Sequence, residues 1–96
     1  MKNKQIVGID VSKSTLDAFV FKSNYLFRIA NDPAGFVNLL EESIKVSGCS
    51  KDSLIFCFEN TGCYSRSLSV FLQDAGIQFC ALDALDLKRS MGLSRG

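Results

Sequence analysis

Ile6-Val7-Gly8-Ile9-Asp10-Val11-Ser12-Lys13 is an apolar run that reaches a carboxylate and then turns at small polar residues. Leu54-Ile55-Phe56-Cys57-Phe58-Glu59 repeats the design. An acid closing an apolar strand makes a poor structural joint and a good metal-ligand position. If the two strands lie side by side, Asp10 and Glu59 project from the same end of one sheet. Whether they do depends on the elements around them.

Gln5 to Val11 predicts a first strand, Leu16 to Lys22 a second and Tyr25 to Ala30 a third, with Lys22-Ser23-Asn24 as the intervening turn. Connections this short favour antiparallel hairpins. Asn31-Asp32-Pro33 starts a helix, because Asp32 can cap it and Pro33 suits the first helical position. Phe36, Leu40 and Ile44, with Val37 nearby, predict its buried stripe, and Gly48 its end. Leu54 to Phe58 is almost wholly apolar, the pattern of a central strand covered on both faces. Thr61-Gly62 opens a second helix, with Tyr64, Leu68, Phe71, Leu72 and Ala75 at helical spacing and Gly76 as its stop. Ile77 to Leu82 predicts a fifth strand, and Ala84 to Met91 a short, partly basic helix. Right-handed crossovers place the fourth strand beside the first and the fifth outside it. The expectation is an α/β fold with a mixed five-stranded sheet of order 3-2-1-4-5. Asp10 and Glu59 then end neighbouring parallel strands, at the carboxyl edge where open α/β sheets keep their sites.

At 96 residues and 47% hydrophobic, the chain has the material for one domain with a core, which argues against disorder. A net charge of +1 supplies no general field for nucleic acid, so such a reading must rest on local features. No apolar run reaches the roughly 20 residues of a membrane span. Asp10 interrupts the run after Met1-Lys2-Asn3-Lys4, which argues against a signal peptide. The expectation is a cytoplasmic protein without a membrane partner. Cys49, Cys57, Cys63 and Cys80 form no C-x-x-C pair, and there is no histidine to complete a zinc set. Cys57 and Cys80 read as small core residues. Cys63 is either inert or a thiol beside the site.

Two carboxylates about 5 Å apart repel by about 3 kcal/mol at an effective dielectric of about 20. A fold keeps such a pair where a cation, a proton or distance relieves it. Oxygen-only ligands select Mg²⁺ or Mn²⁺. Paired ions of this kind activate the attacking oxygen and stabilise the leaving oxygen in phosphodiester chemistry. Such sites use three or four acids, so part of the constellation lies elsewhere. An alternative stays open at this level: Asp10 as a turn residue, with Glu59-Asn60-Thr61-Gly62 as a helix cap. Asp17 is either a third ligand or solvent-facing, and Asp83 and Asp86 read as caps of the last helix. Lys88, Arg89 and Arg95 form a basic end, either a solvated helix face or a set of phosphate contacts, with Lys13 a further candidate. The Phe residues read as core, and Tyr64 is the aromatic candidate for nucleic-acid contact.

Gly8-Ile9-Asp10-Val11-Ser12-Lys13 with Leu16-Asp17, and then Phe58-Glu59-Asn60-Thr61-Gly62-Cys63-Tyr64, resemble the N-terminal domain of DEDD transposases of insertion-sequence family 110. The likeness runs over nearly the whole chain. It implies a RuvC-like, ribonuclease H-type fold and metal-dependent action on DNA phosphodiesters during transposition. By that resemblance Asp10 is the first catalytic, metal-binding acid and Glu59 the second. The family's other two aspartates lie in a D-x-x-D segment soon after a stretch like Leu87-Lys88-Arg89-Ser90-Met91-Gly92-Leu93-Ser94. The chain stops at Gly96, so the expectation is a single domain over residues 1–96, truncated at its C-terminus. It would bind Mg²⁺ or Mn²⁺ weakly and be inactive alone. The resemblance further implies DNA as partner, a structured guide RNA for the full-length parent, and a separate domain with a serine nucleophile. A homo-oligomer is also expected, because truncating an α/β domain can leave an open sheet edge. Asp83-Ala84 stands where relatives often carry Asn-Pro. Two other readings are a nucleotide-binding half-domain of the actin-like sugar-kinase type and a non-catalytic dimerising remnant. The former usually has Gly where this chain has Ser12.

Overall fold

A computed structural model of the protein describes residues 4–60 and 62–82. Strands β1 (Gln5–Val11), β2 (Thr15–Val20) and β3 (Tyr25–Ala30) lead into helix α1 (Pro33–Ser47). Strand β4 (Leu54–Glu59), helix α2 (Cys63–Asp74) and strand β5 (Gln78–Leu82) follow. The strands form one sheet in the order β3-β2-β1-β4-β5. β2 pairs antiparallel with β1 and β3, whereas β1–β4 and β4–β5 are parallel. The expected order is therefore realised. The helix expected over Ala84 to Met91, with its caps Asp83 and Asp86, lies outside the described residues.

Alternation along the strands builds the core. Val7, Ile9 and Val11 of β1, Leu16, Ala18 and Val20 of β2, and Leu54, Phe56 and Phe58 of β4 are buried with Phe36 and Leu39 of α1 and Leu68 and Leu72 of α2. The two helices meet on this face, where the Phe36 and Phe71 rings lie 5.4 Å apart. The opposite face is open by comparison, with Ile6 exposed on β1 and Leu26 67% exposed on β3. The expectation that β4 is covered on both faces is thus corrected: Leu54, Phe56 and Phe58 are buried, but Ile55, Cys57 and Glu59 are half-buried. Ile and Cys satisfy a half-open surface as well as a closed one, so composition does not separate the two cases.

The helix ends follow local chemistry closely. Asp32 Oδ1 accepts the Gly35 N–H at 2.7 Å, and Pro33 occupies the start of α1. Gly48, at φ 73°, closes it with its N–H on the Ile44 carbonyl. The inward stripe of α1 is Phe36, Leu39 and Ser43, while Leu40 and Ile44 flank it and Val37 faces solvent. Gly35 is pressed against the end of β3, where a Cβ would sit 1.8 Å from the Ala30 carbonyl oxygen. α2 ends in a paired turn: Gly76 (φ 71°) donates to Gln73 O at 3.1 Å and Ile77 to Leu72 O at 2.9 Å. That second bond spends the Ile77 N–H on the helix exit, and β5 begins one residue later than expected. Likewise β2 ends at Val20 rather than Lys22, because Val20 pairs with Tyr25 and Phe21 to Asn24 make the turn.

Candidate functional site

The parallel register of β1 and β4 carries the two acids to one place. Ile9 pairs with Phe58, so the next step along both strands sets Asp10 beside Glu59. Ile9 and Phe58 point into the core, hence Asp10 and Glu59 both project from the open face. Neighbouring strands stand about 4.8 Å apart. Asp10 is exposed and Glu59 half-buried, so water and salt screen part of their repulsion. The arrangement offers carboxylate oxygens to a hard cation from two rigid strand positions.

Asp17 completes a charged row across the sheet. It is the register partner of Asp10 on β2, and its own partner on β3 is Arg28. Arg28 Nε donates to Asp17 Oδ1 at 2.6 Å and the guanidinium reaches Oδ2 at 3.4 Å. The hydrogen bond first, and the charge second, raise the Arg28 pKa above its ordinary value. Asp17 is thus not free in solvent: Arg28 holds both of its oxygens. Among the described residues no group of three or more His, Cys, Asp or Glu is placed to hold a metal.

The loops around the pair are tied together by a residue that the sequence reading used only to start a helix. Asn31 Nδ2 donates to the Ser12 carbonyl at 2.8 Å and to the Tyr64 carbonyl at 2.9 Å. Its backbone N–H donates to Ser14 O at 2.9 Å. One side chain therefore joins the turn after Asp10 to the first turn of the helix after Glu59. Asn60 shapes the second loop: its Oδ1 accepts the Gly62 N–H at 3.2 Å and the Ser65 hydroxyl at 3.4 Å. Its own N–H goes to Leu82 O at 2.7 Å. Gly62 takes φ 66° and ψ −119°, a region that suits glycine. The only signal for Asn31 in the sequence was its polarity beside a cap, which many Asn residues share.

Of the other candidates, Lys13 lies in the exposed turn after β1 and Tyr64, 44% exposed, in the first turn of α2. The Asn31 bridge brings their two segments together at the acidic end of the sheet. Tyr64 thus leaves the buried stripe that its spacing suggested. Cys63 is a free, exposed thiol at the start of α2. Cys57 and Cys80 are half-buried on the open face, not core residues. Lys88, Arg89 and Arg95 lie outside the described residues.

A mixed sheet of this order, with two acids at the carboxyl end of its central parallel pair, defines an α/β domain of ribonuclease H-like type. The family model described as Transposase, for DEDD transposases of insertion-sequence family 110, matches residues 7–96, and the chain belongs to that family. No curated protein matches the chain. Among the described residues no helix is long and apolar enough to cross a membrane.

Proposed function

We propose that Asp10 and Glu59 are catalytic ligands of a divalent-metal site through which the transposase acts on DNA phosphodiesters. The observation that carries this reading is the register, which sets both acids side by side on one open face. Their oxygen-only donors suit Mg²⁺ or Mn²⁺, and the bound ion would polarise a phosphoryl oxygen and the attacking water or hydroxyl. Two carboxylates leave most of an octahedral shell to water, so ion binding by the pair is weak and cleavage requires further oxygen ligands. Glu59 and Asp10 hold fixed positions on strands, while Lys13 and Tyr64 belong to the two segments that Asn31 ties together at the same end of the sheet. Lys88, Arg89 and Arg95 extend this reading as phosphate contacts. A cytoplasmic location and self-association belong to the same proposal, the latter supported by the open sheet face, where Leu26 is 67% exposed. A structured guide RNA is the further partner proposed for the full-length parent.

Mn²⁺ titration monitored by thermal melting tests the reading. Mn²⁺ is expected to raise the melting temperature of the parent chain, and Asp10→Asn or Glu59→Gln to remove the increment. An increment unchanged in both variants refutes the assignment.

A further inference from the structure

Cys57 on β4 and Cys80 on β5 are register partners in adjacent parallel strands. Both belong to the open face, because Phe58 and Phe79, one position away on each strand, stack at 5.9 Å on the helix side. Both are free thiols with partial solvent access.

Spacing decides what such a pair can bind. Neighbouring strands stand about 4.8 Å apart, whereas a disulfide draws its Cβ atoms to about 3.8 Å. Closing that bond would pull two hydrogen-bonded strands together by roughly 1 Å. A tetrahedral ion with two sulfurs at about 2.3 Å holds those sulfurs about 3.8 Å apart. Rotation about each Cα–Cβ bond then sets the sulfur separation, and the Cβ atoms stay at strand spacing.

We propose that Cys57 and Cys80 form a two-thiolate site for a soft d¹⁰ cation of the Zn²⁺ and Cd²⁺ class. Binding replaces two S–H bonds with two sulfur–metal bonds and releases two protons to solvent, with no electron transferred. Water fills the remaining positions. Thiolate sulfur selects such ions over Mg²⁺, so this site and the Asp10–Glu59 pair draw on different cations. It also joins the outer strand β5 to β4 two positions before Glu59.

Cadmium titration of the reduced chain in excess Mg²⁺, read by thiolate-to-cadmium charge-transfer absorption, tests the site. One cadmium per chain is expected. Cys57→Ser and Cys80→Ser should each weaken binding by about a hundredfold or more, since each destroys the chelate. Cys49→Ser and Cys63→Ser should leave it unchanged. Far-ultraviolet dichroism of every variant separates loss of the site from loss of the fold. Wild-type affinity in a folded Cys57→Ser or Cys80→Ser chain overturns the proposal. So does a reduced chain that closes the Cys57–Cys80 disulfide with oxidised glutathione yet binds no cadmium.

Discussion

Replacing Asn31 by alanine tests whether the two loops that flank the acids are held by one amide. The change removes the bonds to Ser12 O and Tyr64 O but leaves the backbone bond to Ser14 O in place. A neutral amide–carbonyl bond contributes about 0.5–1.5 kcal/mol net. Both bonds lie at the exposed end of the sheet, so the lower part of that range applies and the pair is worth about 1–2 kcal/mol. For a domain of this size that corresponds to a melting temperature lower by about 5–10 °C. Asn31→Asp separates donation from packing. A carboxylate has nearly the shape of the amide but presents only acceptors to two carbonyl oxygens, and it adds a negative charge near Asp10. It should therefore melt below Asn31→Ala at neutral pH. Amide exchange adds a local readout: Ser12 N–H, bonded to Thr15 O, and Ser65 N–H, bonded to Gly62 O, should both exchange faster in Asn31→Ala. An Asn31→Asp chain as stable as the parent would refute the reasoning, because the side chain would then not be donating. Unchanged exchange at both amides would refute the bridge itself.

Other substitutions probe the frame. Gly35→Ala sets a methyl into the Ala30 carbonyl and forces α1 away from β3, which should cost about 1–3 kcal/mol or more in urea denaturation. Ser43→Ala removes a buried hydroxyl that has no hydrogen-bond partner among the described residues, so the melting temperature should rise by the few degrees that about 1 kcal/mol represents; a fall would mean the hydroxyl is satisfied. Cys63, exposed, should be alkylated by iodoacetamide before Cys57 near pH 8. Because the Cys57 pKa is raised from about 9.0, its neutral form contributes stability that is present below that pH and lost as pH rises through the folded value. Peptide mapping of the alkylated chain checks the order, and equal rates at Cys57 and Cys63 would contradict it.

Much of the frame was legible along the chain because its signals are local. Asp32 before Pro33, Gly48 and Gly76 at positive φ, and the short loops between the first three strands each impose their geometry over a few residues. The handedness of crossovers then left β4 beside β1, and with it Asp10 beside Glu59. Other features depend on what another element supplies. Which side of α1 is buried was decided by packing against α2 and the sheet, and so Leu39 and Ser43 turned inward while Val37 did not. Helical spacing alone allows several adjacent stripes. Asp17 was ambiguous until antiparallel register set Arg28 opposite it, and a partner 11 residues away leaves no trace in local pattern.

The sequence by itself determined the strands, the helix caps, the sheet order and the end of the sheet at which both acids stand, because turn chemistry and chain handedness act at short range. Only the tertiary structure decided that both described helices share one face, that Asn31 ties Ser12 to Tyr64, and that Cys57 meets Cys80 in the open. Those outcomes rest on register and on contacts between distant segments, which are fixed when the elements pack.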